Sequence, residues 1–214
     1  MTRRELLIFA AGAIALCGLG TLLYTNTRTP ASASALVESA FVVPDFAKGN
    51  GFHLNGLRLS VDRERKRACA YREKDGSLAW ESNGMDGFIV PGAAFSMDLT
   101  PDGQLWVANV GRKRLEQLDP QTGKFIAFWQ PAKAFGGCCN PVCFAALAGG
   151  RFVTMEKGTR QAVVYLPSGE VERVVSASLS NSEYNYFLGR DGRSVHLYDI
   201  GTKQHWEVGY DVSP

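Results

Sequence analysis

Histidine, sustained helical periodicity and an excess of either charge are what this sequence has least of. His53, His196 and His205 are its three histidines, so a metal centre built chiefly on imidazoles has few donors to draw on. There is no Cys-x-x-Cys pair and no Cys-x-x-Cys-His, which argues against covalent haem of the usual type. The absence of Gly-x-Ser-x-Gly removes the familiar hydrolase nucleophile turn, and the scattered acids define neither a Ser-His-Asp set nor a pair of catalytic carboxylates. A formal charge of +2 with no basic stripe interleaved with aromatics gives no reason to expect a nucleic acid partner. No catalytic residue is therefore assigned.

The features that are present begin at the N-terminus. Arg3 and Arg4 stand directly ahead of an uncharged apolar run from Leu6 to Tyr24, the order of an export signal. Met1-Thr2-Arg3-Arg4-Glu5-Leu6-Leu7 resembles the twin-arginine signal family, with Ile8 where that pattern carries a lysine. About 19 apolar residues form a helix of roughly 28 Å, close to the ~30 Å hydrocarbon core of a bilayer. Retention as an anchor and cleavage at Ala31-Ser32-Ala33 or Ala33-Ser34-Ala35 are both open, and Arg3 and Arg4 place the residues beyond Tyr24 on the outer side. Cys17 follows Leu16, where lipid attachment calls for a small residue, so it reads as an ordinary member of the apolar run. Residues 1–24 are thus expected to be signal or anchor, 25–40 a Thr/Ala/Ser-rich linker, and 41–214 one folded domain located in the periplasm or on the outer face of the bacterial inner membrane.

The body is punctuated by turns rather than by helical faces. Asp102-Gly103, Gly149-Gly150 and Asp191-Gly192 recur roughly 42 to 47 residues apart, and an earlier equivalent falls near Asp62 to Arg65. Each is followed by a second turn: Asp75-Gly76, Pro120 to Gly123, Pro167 to Gly169, Ile200 to Thr202. Between the turns lie short apolar runs. Ser96–Leu99, Gln104–Ala108, Leu115–Leu118 and Lys124–Phe128 predict four strands, and Phe144–Leu147, Arg151–Met155, Ala162–Leu166 and Glu170–Val175 the next four. The units Leu57–Trp80 and Tyr186–Val208 have room for about three strands each. Repeated four-stranded antiparallel meanders predict an all-β fold, a β-propeller or partial propeller of about four blades. Trp80, Trp106, Trp129 and Trp206, about one per unit, are expected to pack between blades.

Leu99-Thr100-Pro101-Asp102-Gly103-Gln104-Leu105-Trp106-Val107-Ala108-Asn109, completed by Leu118-Asp119-Pro120-Gln121-Thr122-Gly123-Lys124, resembles a blade of the NHL-repeat propellers. Phe152 to Gly158 with Val164 to Glu170 resembles a second. The likeness implies a fold more than a function, since propellers host many activities. Family members usually carry more blades, which leaves room for a ring completed by a partner.

Gly136-Gly137-Cys138-Cys139-Asn140-Pro141-Val142-Cys143, in the loop joining the two clear blades, is the most unusual local segment. It resembles a Gly-Cys-Cys-Asn-Pro loop found in a bacterial subset of NHL-like proteins. In an oxidising compartment it predicts first a disulfide, joining Cys143 to Cys138 or Cys139, or one of these to Cys69. A thiolate metal site and a redox-active thiol pair are the alternatives. No cofactor is required by the sequence; a metal ion at these cysteines is the one candidate. Glu156, Lys157 and Asn140 are expected to line a rim beside Cys138 and Cys139. His53 falls in a Gly/Asn-rich leading loop, and His196, alternating with Val195 and Leu197, is expected to face solvent.

The functional expectation is an exported binding or assembly module, an accessory subunit contacting other protein subunits of a membrane complex on its periplasmic side, with residues 6–24 holding the membrane if uncleaved. A metal or thiol-redox protein built on Cys138, Cys139 and Cys143 is the alternative.

Overall fold

The computed structural model describes residues 51–211 apart from Cys138. The expected signal or anchor, the expected linker and Cys138 lie outside the described residues. The described part is all-β: four antiparallel sheets, each a sequential meander, arranged as the blades of a four-bladed β-propeller.

Blade 1 contains β1 (Phe52–Leu54), β2 (Leu57–Asp62), β3 (Arg67–Arg72) and β4 (Leu78–Ser82). Blade 2 contains β5 (Met97–Leu99), β6 (Leu105–Asn109), β7 (Arg114–Leu118) and β8 (Phe125–Trp129). β9 (Cys143–Leu147), β10 (Arg151–Glu156), β11 (Gln161–Tyr165) and β12 (Val171–Ser176) form blade 3. In blade 4 the described strands are β13 (Tyr186–Asp191), β14 (Ser194–Asp199) and β15 (Gln204–Gly209). The eight strands expected in blades 2 and 3 all form, with no end moved by more than one residue. One expectation is corrected. The segment with His53 is strand β1, paired Phe52 to Leu59 and Leu54 to Leu57, so blade 1 has four strands. Its three residues are too few to display a period of two.

Strand burial reflects position in the stack of blades. β6 and β10 are buried at every residue, because blades cover both their faces, whereas the outer strands β8 and β12 leave Ile126, Phe128, Val171 and Val174 exposed. Two apolar clusters hold the blades together. One joins Leu59, Ala70 and Trp80 of blade 1 to Leu105 and Leu118 of blade 2; the other runs from Trp106 and Trp129 through Phe144 and Phe152 to Val195 and Leu197 of blade 4. Burial of each leucine, valine or phenylalanine among them contributes about 1.5–3 kcal/mol.

Tryptophan does the same task at two successive seams. The indole N–H of Trp80 donates to the carbonyl of Pro120 at 3.1 Å, and that of Trp129 to the carbonyl of Pro167 at 3.2 Å. Each ring reaches from an outer strand to the second turn of the next blade. At Gly123 a methyl group would lie 2.5 Å from the Trp80 ring, so a bare Cα is needed for the ring to lie flat. Phe152 sits between Trp106 and Trp129, with centroids 4.8 and 4.5 Å away.

A second repeat is written in the backbone. Lys66, Lys113, Arg160 and Lys203 each adopt positive φ one residue before the third strand of their blade. The second strand ends in Asp62, Asn109, Glu156 and Asp199 respectively. These polar ends anchor turns and incoming loops. Asn109 receives the Ile89 amide at 3.0 Å. Asp199 receives the Ser180 amide and hydroxyl at 2.6 and 2.7 Å and the Gly201 amide at 3.0 Å.

Burial alone would raise the Asp199 carboxyl, but the hydrogen bonds from Ser180, Thr202 and Gly201 outweigh it and hold the carboxyl below its ordinary value. A depressed carboxylate stabilises the fold above its unfolded pKa of ~3.9, and that contribution is lost as pH falls through the lower folded value. Asp199→Asn is therefore expected to lower the urea midpoint at pH 7, with the gap to the parent closing below about pH 4. Equal gaps at pH 7 and pH 3 in paired urea titrations would show that the charge is not what stabilises this turn.

Candidate functional site at the mouth of the central cavity

The first strands of the blades, β1, β5, β9 and β13, surround a cavity of about 1130 Å³ lined by Phe52, Met97, Cys143, Phe144, Phe187 and Arg190 among others. Beside its lining residues Glu183 and Tyr184, two of the three rim residues expected from sequence, Asn140 and Lys157, meet. Asn140 Oδ1 accepts the Lys157 amide at 2.8 Å, and Asn140 Nδ2 donates to the Gly136 carbonyl. Lys157 Nζ reaches Glu183 Oε2 at 2.7 Å across to the loop before β13. Gly92, on the loop before β5, passes so close to the cysteine loop that a methyl group there would stand 3.0 Å from Cys139 Sγ and 3.6 Å from Glu183 Oε1. Three inter-blade loops thus converge at one mouth.

The hairpin after β10 supports this arrangement from below. Gly158 is packed against the loop so tightly that a Cβ would lie 2.4 Å from the Gly136 carbonyl and 2.6 Å from Asn140 Nδ2. Asn140 is 2 % exposed, which makes it the pin of the loop rather than a surface contact.

Glu156 is not on the rim surface. It is 2 % exposed and accepts from the hydroxyls of Thr154 at 2.9 Å, Tyr165 at 2.6 Å and Thr159 at 3.1 Å. Burial and the adjoining Glu156 carboxylate push the Tyr165 phenol well above its usual range. The strand-end position of Glu156 explains the difference: the side chain closes its own hairpin, and the next residue, Lys157, is the one that reaches the mouth.

The cysteines divide in the same way. Cys143 opens β9 and lines the cavity. Burial pushes its thiol up to about 12, so with no metal bound it is protonated at neutral pH and is not a ready nucleophile. Cys69, in β3, is fully buried, and burial raises its thiol as well. Both are free thiols. The disulfides expected through Cys143 or Cys69 are therefore not formed here, because Cys69 is enclosed in blade 1 and Cys143 faces the cavity. Any bond made by Cys138 lies outside the described residues. Among the described residues no group of three His, Cys, Asp or Glu stands close enough to enclose a metal ion.

Farther into the cavity, Asp98 of β5 meets Arg190 of β13 at 2.8 Å and accepts the Ala146 amide of β9 at 2.8 Å. Arg190 also donates to the Ala146 carbonyl at 2.7 Å, and its guanidinium lies 5.1 Å from the Tyr210 ring centroid. Tyr210 donates to Asp102 at 2.8 Å. Burial, then Asp102, pushes the Tyr210 phenol up to about 12. One ion pair with its flanking bonds therefore ties blades 2, 3 and 4 together. Sequence reasoning missed Asp98 and Arg190; a lone acid in an inner strand, Ser96-Met97-Asp98-Leu99, was the available signal.

Together these features define a four-bladed β-propeller whose inter-blade loops surround the mouth of a central cavity. No family model and no curated protein matches the chain. Among solved structures it is similar to Kuenenia stuttgartiensis Hydrazine Synthase, at 13% identity over 81% of this chain and 53% of that one, with a TM-score of 0.44. It is also similar to BamB from Moraxella catarrhalis, at 15% identity over 78% and 49%, with a TM-score of 0.41. This chain spans about half the length of each.

Proposed function

We propose that this protein is an exported propeller that works as a binding and assembly module, an accessory subunit on the periplasmic side of a bacterial membrane complex. The observation that carries the reading is the mouth itself. Loops from three blades are pinned there by Asn140, Lys157 and Glu183, while Tyr184 beside them is 71% exposed. Rigidly held loops around an exposed aromatic suit recognition, since ordering costs are met before binding. Inside the cavity, Asp98 is already paired with Arg190 through Nη2. Export rests on Arg3, Arg4 and the apolar run to Tyr24, which supply the twin-arginine pattern and a length suited to an anchor.

The test places a photo-crosslinking amino acid at Tyr184 in the native host, with a second probe at Ile126 on the outer edge of blade 2 as the comparison. The expected result is a discrete adduct in the membrane fraction from position 184, with none from position 126. In the same cells, replacing Arg3 and Arg4 with lysine is expected to keep the protein in the cytoplasm. Adducts from 126 alone would move the recognition surface away from the mouth, and normal export of the lysine variant would remove the twin-arginine route.

A further inference from the structure

Two of the three histidines in the chain, scattered in sequence, come together on one face of blade 4. His196 of β14 and His205 of β15 lie diagonally across the strand pair, with His196 opposite Glu207 and Tyr198 opposite His205. His196 Nδ1 and His205 Nε2 are 3.0 Å apart, with the ring planes 16° from parallel. On its other side, His196 Nε2 meets Asp191 Oδ1 at 3.0 Å. Tyr198 stacks on His205, with centroids 4.4 Å apart and planes 9° from parallel.

We propose that His196 and His205 form a binding site for a divalent transition cation that prefers imidazole nitrogen, with Asp191 as the positioning residue. This goes beyond the assembly reading and does not depend on it.

The spacing is the main argument. Two imidazole nitrogens each ~2.0 Å from one ion stand ~2.8 Å apart in a square-planar site and ~3.3 Å apart in a tetrahedral one. The observed 3.0 Å lies between them. Small ring rotations admit the ion, and His205 is exposed and able to make them. Asp191 lies on the far side of the His196 ring, with Oδ1 3.0 Å from Nε2 but off the line of a ring N–H, so it bears on the ring by charge rather than by an aligned hydrogen bond. Glu207 accepts from Ser194 at 2.5 Å and, directly opposite His196, is the carboxylate nearest in register. Among the described residues no third protein donor is assembled with the pair, so water completes the shell and the ion exchanges with solvent.

Zn²⁺ added to the purified full chain is the probe, followed by calorimetry and by NMR of the imidazole nitrogens. One ion per chain is expected, with the His196 and His205 signals shifted and that of His53 unmoved. His205→Gln, at an exposed position, is expected to weaken binding at least tenfold without altering the fold. Asp191→Asn is expected to weaken it by about 10-fold or more through the lost charge beside His196, with the His196 imidazole nitrogen signals shifted before metal is added. Cys139→Ser leaves binding unchanged. The proposal is overturned if no Zn²⁺ binds, if His205→Gln binds as the parent does, or if Cys139→Ser abolishes binding, which would place the ion at the cysteine loop instead.

Discussion

Asp98→Ala is expected to lower stability by about 3–5 kcal/mol, the cost of leaving one partner of a buried ion pair without the other. For a domain of this size each kcal/mol shifts the melting temperature by ~2–4 °C, giving a drop on the order of 6–20 °C. Asp98 is 2 % exposed and serves two blades besides its own: Arg190 of blade 4 and the Ala146 amide of blade 3 bond to the same oxygen, both at 2.8 Å. Removing it strands a guanidinium whose Nε and Nη1 are already buried with no hydrogen-bond partner among the described residues. Asp98→Asn keeps an oxygen for the Ala146 amide and one acceptor for Arg190, and should cost less than half as much. Differential scanning calorimetry of the two variants decides the matter. A fall of under 2 °C for Asp98→Ala would mean that apolar packing alone holds blades 2 to 4 together.

The propeller was legible because its determinants are local and repeated. Turn residues at Asp102-Gly103, Gly149-Gly150 and Asp191-Gly192 punctuate strands whose apolar runs are long enough to identify, and Trp80 and Trp129 mark successive outer strands. The meeting of the cysteine loop with Lys157 was also within reach, because both flank strands of one blade. Three-residue β1 was not, since alternation needs more residues to show itself. Nor was the Asp98 to Arg190 bond, which joins positions far apart in sequence through ring geometry that no local pattern encodes.

His196 shows where periodicity misleads. It alternates with Val195 and Leu197 as a solvent-facing residue should, yet it is 9% exposed, enclosed among Asp191, Tyr198 and His205. Alternation assigns a side chain to a face; it does not say what covers that face. Glu156 makes the same point at a strand end, where a charged residue next to Lys157 has the look of an exposed turn and is instead buried among three hydroxyls. The sequence does carry a signal for it in the series Asp62, Asn109, Glu156, Asp199. Aligned on the ends of the second strands, that series marks each blade with one polar anchor and identifies Glu156 as structural.

Gly158→Ala is expected to detach the cysteine loop from its support. The new methyl group would sit 2.4 Å from the Gly136 carbonyl and 2.6 Å from Asn140 Nδ2, neither of which can retreat without moving the loop backbone. Overpacking of this kind costs typically about 1–3 kcal/mol. The functional effect should be larger than the stability effect, because the displaced loop carries Cys139 off Gly92 and breaks the bond from the Lys157 amide to Asn140. Gly136→Ala is the matched comparison on the facing segment: its methyl group would meet only Thr159 Cγ2 at 3.5 Å, an ordinary contact. Hydrogen exchange read by mass spectrometry should show residues 136–143 exchanging faster in Gly158→Ala and unchanged in Gly136→Ala. If the mouth is the recognition surface, the crosslink from position 184 falls on the order of tenfold in the first variant and persists in the second, the loss corresponding to about 1.4 kcal/mol of binding. Equal crosslinking in both, with the loop shown to be displaced, would separate the cysteine loop from partner recognition and leave it with a purely structural part in closing the blade 2 to blade 3 seam.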